Sequence, residues 1–135
     1  MKVFRTLEST ANRGPSEWFT GEVRVQPLLA ASESSTQRSA VVSFSAGART
    51  AWHTHPRGQM IYIVSGICLA QREGGEIERM SAGDAVWFAP GEKHWHGAEA
   101  TRPMTHLAVQ EADERGEVVV WMEHVSDEQY HAGSN

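Results

Sequence analysis

The sequence predicts an all-β protein, one barrel or sandwich domain spanning residues 1–135, with one short helix near its C-terminal end. Three observations carry this. Helical periodicity is almost absent. Short runs rich in β-branched and aromatic residues recur along the chain. Turn clusters such as "EGGE", "SAGD" and "APGEK" separate them. Many short strands with regular turn signals are the pattern of a sandwich or barrel.

The strand-like runs are, in order, "GEVRVQPLL" (21–29), "SAVVSFSAG" (39–47), "QMIYIVSGICLAQR" (59–72), "DAVWFAPG" (84–91), "MTHLAVQE" (104–111) and "EVVVWMEHV" (117–125). Residues 30–38, "AASESSTQR", read as a polar loop. "SDEQ" at 126–129 is a capping-box pattern, with Ser126 as N-cap and Gln129 at N3, so a short helix is expected there. No linker, repeat or low-complexity segment divides the chain.

Composition removes several function classes. A formal charge of −5 argues against a basic nucleic-acid surface. No stretch approaches the roughly 18 apolar residues of a membrane span. The opening "MKVFRTLEST" lacks the apolar run of a signal peptide, so a soluble, cytoplasmic protein is expected. Cys68 is the single cysteine, which excludes an internal disulfide and reads as a small core residue.

The informative residues are the histidines. "AWHTHPRGQMIYIVSG" places His53 and His55 two apart, then turns at Pro56, Arg57 and Gly58 into an apolar strand. Side chains alternate along a strand, so His53 and His55 share one face, with Trp52 and Thr54 on the other. The same alternation puts Gln59, Ile61 and Ile63 together, pairs His94 with His96 around Trp95, and aligns His106, Ala108 and Gln110. Imidazoles converging inside a barrel suit a divalent ion, because neutral imidazole binds Zn, Cu, Fe and Ni well.

These residues carry a resemblance. "GARTAWHTHPRGQMIYIVSG" resembles the first cupin motif, G-(X)5-H-X-H-(X)3,4-E-(X)6-G, through Gly47, His53, His55 and Gly66. "GDAVWFAPGEKH" resembles the second, through Gly83, Asp84, Gly91 and His94. The motifs span about residues 40–110. The resemblance implies a double-stranded β-helix, or jelly-roll barrel, with a metal held inside by His53, His55, residue 59 and His94. Three positions depart from the pattern. Gln59 stands where the family has glutamate, Pro90 sits one place late with Ala89 in its slot, and Ala98 replaces an asparagine.

A closer resemblance runs over nearly the whole chain. "GPSEWFTGEVRV", "AQREGG", "PGEKHWHGA", "MTHLAVQE" and "WMEHVSDEQY" are similar to bacterial manganese-dependent cupins that include hydroxynitrile lyases, a group also described as carboxymuconolactone decarboxylase-like. This implies manganese first, then iron, with zinc or nickel allowed by the ligand types alone. It also implies a small-molecule substrate and a homodimer or homotetramer. An apolar "EWF" around Trp18 and Phe19 is a candidate contact with a second subunit.

The expected chemistry is reversible cleavage of an α-hydroxynitrile to an aldehyde and hydrogen cyanide. Neutral ligands, including the Gln59 amide if it ligates, leave a +2 centre suited to Lewis-acid work; otherwise Gln59 only hydrogen-bonds beside a three-histidine site. His106, with an ordinary pKa near 6.5, is the candidate base, and His96 the second candidate for moving a proton. Either one instead orients a ligand imidazole. Ala40, Val42 and Gln110 are the candidate substrate-pocket residues. Asp84 and Glu92 read as turn residues, and His124 and His131 as surface ones. The competing functions are a metal-dependent dioxygenase or decarboxylase on a small carbonyl or carboxylate compound, and a metal- or ligand-binding cupin without turnover.

Overall fold

A computed structural model describes residues 1–5, 11–30 and 34–133. Thirteen strands form two antiparallel sheets among these residues. They are β1 (Asn12–Arg13), β2 (Phe19–Thr20), β3 (Val23–Pro27), β4 (Gln37–Phe44), β5 (Arg49–Thr50), β6 (His53–Thr54), β7 (Gln59–Ser65), β8 (Ile67–Arg72), β9 (Glu78–Ser81), β10 (Ala85–Phe88), β11 (His94–Ala98), β12 (Met104–Glu111) and β13 (Val120–Trp121). One sheet runs β1-β3-β4-β12-β7-β10; the other runs β13-β6-β11-β5-β2, with β8 beside β11 and β9 beside β8. The all-β barrel expectation is met in this architecture.

The long run 59–72 is two strands in different sheets. Gly66 makes the crossing, with φ of +78°, and a side chain there would collide with the Pro103 carbonyl oxygen. The turn at Gly58 likewise has φ of +79°, and a Cβ would strike the Trp87 ring. The loop expected over 30–38 ends earlier than the sequence suggests. Residues 31–33 lie outside the described residues, as do 6–10 of the opening stretch, and Gln37 and Arg38 already pair with Glu111 and Gln110. The run 117–125 supplies only the two-residue β13, because little of it has a neighbouring strand to pair with.

Alternation sorts the side chains into two layers. Facing inward are Val42, Phe44, Ile61, Ile63, Phe88, Met104 and Ala108. Behind the second sheet, Trp52, Leu69, Trp95, Val125 and Tyr130 form a separate cluster. Helix α1 (Asp127–His131) closes that cluster with the expected capping box: Ser126 accepts from Gln129 N–H, and the Gln129 side chain accepts from the Ser126 N–H. The buried Arg49 guanidinium donates to the Val125 carbonyl and to Asp127, and Tyr130 donates to the Ala98 carbonyl at 2.6 Å. Cys68 is buried, and its thiol is pushed up to about 12 by desolvation. Asp84 and Glu92 accept backbone N–H groups in their turns, and His124 and His131 are exposed.

The first sheet is treated differently. Its outer face shows Met60, Tyr62, Val64, Trp87 and Val109 to solvent. Register joins them: Met60 stands between Trp87 and Val109, and Tyr62 pairs with Leu107.

Candidate metal and substrate site

Two short strands, β6 and β11, the turn after β6 and the long β12 bring the histidines together. His53 on β6 pairs directly with His94 on β11, and its ring centroid lies 4.3 Å from that of His94. His55 follows on the same face, 5.0 Å from His53 and 5.6 Å from His94. His96 is two residues beyond His94, 5.4 Å from His53. His106 on β12 reaches across from the other sheet to 4.9 Å from His96. All five are buried. Trp52 and Trp95, the alternate residues, point into the outer cluster as expected.

Hydrogen bonds separate these rings into two groups. The Nδ1 atoms of His53, His55 and His94 each lie against a backbone carbonyl, of Ala51 (2.9 Å), Val118 (2.6 Å) and Glu92 (2.8 Å). A carbonyl only accepts, so Nδ1 carries the hydrogen and Nε2 keeps a lone pair. This tether is the arrangement that orients metal-ligating imidazoles. His96 and His106 instead bond each other, Nδ1 to Nε2, at 3.2 Å. Gln59 donates Nε2–H to Gln110 Oε1 at 3.1 Å.

The consequence is a concentration of unpaired polar atoms. Among the described residues, the buried side-chain nitrogen and oxygen atoms without a hydrogen-bond partner are His55 Nε2, Gln59 Oε1, His94 Nε2, His96 Nε2 and His106 Nδ1. Such groups are rare in folded proteins, and each costs about 1–3 kcal/mol when left unmade. Three of them are lone pairs fixed by the tethers and by the Gln59 amide bond, which is the donor set a divalent cation satisfies. The ring nitrogens of His53, His94 and His96 all lie within 4.8 Å of one another. Metal–nitrogen bonds of about 2.0–2.1 Å bring such a group within reach of one ion after small side-chain shifts. His96 therefore stands closer to the cluster than its assignment to proton handling suggests, because β11 carries it on the same face as His94.

Burial also sets the charge of the rings. Desolvation is the largest cause in every case, and it lowers His53 and His96 well below the ordinary value, with neighbouring imidazoles adding to it. It lowers His55 against the opposing pull of the Val118 carbonyl, and brings His94 and His106 to about 3. His106 thus departs from the value near 6.5 assumed from its residue type. Its enclosure between sheets keeps it neutral, which preserves a lone pair for accepting a proton.

The cluster sits in a cavity of about 660 Å³, within the range of small-molecule sites. Ala40, Val42, Gln110, His96 and His106 all line it. Val42 pairs with His106 and Ala40 with Ala108 across β4 and β12. The residues the sequence reading missed are Trp121, Val118 and Val119, which also line it. Residues 118–122 are apolar at every position, so alternation did not single out a cavity face there. Trp18 and Phe19 were expected to face a second subunit. Phe19 is buried in the core, and Trp18, which stays 38% exposed, stacks on Trp121, both of them lining the cavity.

Two curled antiparallel sheets around a histidine-lined cavity define a small jelly-roll barrel. The chain belongs to the cupin family: the family model described as "Cupin domain" matches residues 40–110. It is 53% identical, over 96% of its own length and 98% of the other, to an (R)-mandelonitrile lyase from Granulicella tundricola. Among solved structures it resembles a cupin-like protein from Thermotoga maritima MSB8, with a TM-score of 0.86 and 28% identity over 98% of this chain and 97% of that one. It also shares the fold of a polyketide cyclase from Streptomyces resistomycificus, with a TM-score of 0.71 and 18% identity over 100% of this chain and 94% of that one. No helix among the described residues is long and apolar enough to cross a membrane.

Proposed function

We propose that this protein is a metal-dependent lyase that cleaves and forms α-hydroxynitriles, releasing an aldehyde and hydrogen cyanide. The observation that carries the reading is the cluster of unpaired donor atoms at the base of an apolar cavity, joined to a neutral imidazole pair. The 53% likeness to an (R)-mandelonitrile lyase supplies the substrate class.

His53, His55, His94 through Nε2 and Gln59 through Oε1 would hold the ion, manganese first, with iron, zinc and nickel as alternatives. When bound, it supplies Lewis-acid stabilisation of the oxygen that becomes the carbonyl. The chain supplies the rest. Burial keeps His106 and His96 neutral, so the pair always offers one lone pair and one N–H at its outer atoms, His106 Nδ1 and His96 Nε2. The outer nitrogen with the lone pair takes the hydroxyl proton of the cyanohydrin. The shared hydrogen between His96 Nδ1 and His106 Nε2 lets the second ring return a proton to cyanide. Ala40 and Val42 leave room for the substrate side chain, and Gln110 fixes the Gln59 amide while facing the cavity.

The protein works in the cytoplasm as a homodimer or homotetramer. Its apolar outer face at Met60, Tyr62, Val64 and Trp87 is the surface that supports association. Light scattering at micromolar concentration tests this, and a lone monomer would contradict it. The lyase reading is tested by turnover of mandelonitrile by metal-loaded and metal-stripped protein.

A further inference from the structure

The cavity lining includes aromatic side chains that the proton chemistry does not use. Trp18 and Trp121 stack with ring centroids 5.4 Å apart and planes 8° from parallel. Trp121 meets Phe19 edge to face at 5.6 Å, and Phe19 meets Phe44 at 6.2 Å. Phe44 lies 5.3 Å from the His106 ring and 6.0 Å from His96. A continuous aromatic surface thus runs from Trp18 to the imidazole pair. The other cavity side chains on β4 and β12 above His106 include the small Ala40, Val42 and Ala108.

This surface is held in register with the donor cluster. The Ala51 N–H donates to the Trp18 carbonyl at 2.7 Å, the Met122 N–H to the Trp52 carbonyl at 2.8 Å, and Trp121 pairs with His53. The segment that positions His53 therefore positions both tryptophans. Packing the hydrophobic core does not explain Trp18, which is 38% exposed yet stacked in parallel on its partner.

We propose that the Trp18–Trp121 pair is the aryl-recognition wall of the cavity and selects aromatic over aliphatic aldehydes and cyanohydrins. Aromatic rings gain offset-stacked and edge contacts beyond the area they bury, and an aliphatic group of similar size does not; this separates the two classes by roughly tenfold. The catalytic part of the inference rests on the lyase reading, whereas the binding part does not.

The test uses the full chain loaded with manganese, in the absence of cyanide. Calorimetric titration with benzaldehyde and with pivaldehyde is compared for the unaltered protein, Trp18→Leu, Trp18→Phe and Trp121→Leu. Metal content is measured in each, because Trp121 also touches His53. We expect about tenfold tighter binding of benzaldehyde by the unaltered protein. The preference should fall to within about twofold in Trp18→Leu at unchanged metal content, and return in Trp18→Phe. The mandelonitrile to acetone cyanohydrin ratio of kcat/KM should fall in parallel. Equal weakening of both aldehydes, or an aryl preference that survives both leucine variants, would overturn the proposal. A lost binding preference in a protein that turns over neither cyanohydrin would uphold the wall and refute the lyase reading.

Discussion

Gln59 and Gln110 are joined amide to amide across β7 and β12, with Gln59 Nε2 donating to Gln110 Oε1 at 3.1 Å. That bond leaves Gln59 Oε1 buried and unpaired beside the imidazoles. A neutral oxygen is thereby offered where the family motif has a carboxylate.

Gln59→Glu should accordingly keep its metal and lose lyase activity. A carboxylate lowers the net charge of the centre and weakens its pull on a developing carbonyl oxygen. We expect kcat/KM to fall about tenfold or more at unchanged metal content. Equal or higher activity would show that the charge of the ligand set does not matter.

The backbone tethers set His53, His55 and His94 apart from His96 and His106. His53→Ala and His94→Ala should each lower the metal content of the purified, untagged protein sharply. His96→Ala should retain metal while activity drops, since His96 Nδ1 faces His106 and not a carbonyl. Elemental analysis decides. A loss of metal in His96→Ala equal to that in His94→Ala would place His96 among the ligands, as the 4.8 Å grouping of ring nitrogens also permits.

Metal-free protein should be sensitive to acid. The buried imidazoles titrate below the ordinary value in the folded state, at about 3 for His94 and His106, so the unfolded chain binds more protons between that value and about 6.5. Stability is complete above that window and falls as pH drops through it, by up to about 1.4 kcal/mol per pH unit for each ring. Thermal melts of chelated protein at pH 7.5 and pH 5 should show a clear fall in Tm. A constant Tm would mean that the rings are already protonated or exposed.

Trp95 provides the contrast. It is fully buried behind the second sheet, donates to Gln71 at 2.9 Å, and points away from the cavity. Trp95→Ala should cost about 3–5 kcal/mol in denaturant unfolding while the ratio of metal to folded protein stays unchanged.

Much of this site was legible before the structure. Period-two alternation alone placed His53 with His55, His94 with His96, and His106 with Ala108 and Gln110, because a strand with one buried face cannot slip by one residue without inverting every side chain. The capping box at Ser126 was equally local. What alternation does not contain is which strands lie opposite. The contact between His96 and His106 joins two sheets, and the Trp18–Trp121 stack joins both ends of the chain. Nor does a sequence report enclosure, which is why His106 appeared to be an ordinary imidazole. Trp18 and Phe19 read as surplus apolar surface because their partners, Trp121 and Phe44, are distant in sequence.

In the proposed chemistry the metal and the imidazole pair act together on a cyanohydrin. The direct measurement is mandelonitrile cleavage, and its reverse in mildly acidic buffer where uncatalysed addition is slow, with metal-loaded protein, chelated protein and metal-loaded His106→Ala compared side by side. Benzaldehyde release and an enantiomeric excess are expected with the loaded protein, and loss of both in the other two. Turnover that survives in His106→Ala would move the base to His96 Nε2. No rate above background in any form, with manganese or iron confirmed in the protein, would rule out this lyase chemistry.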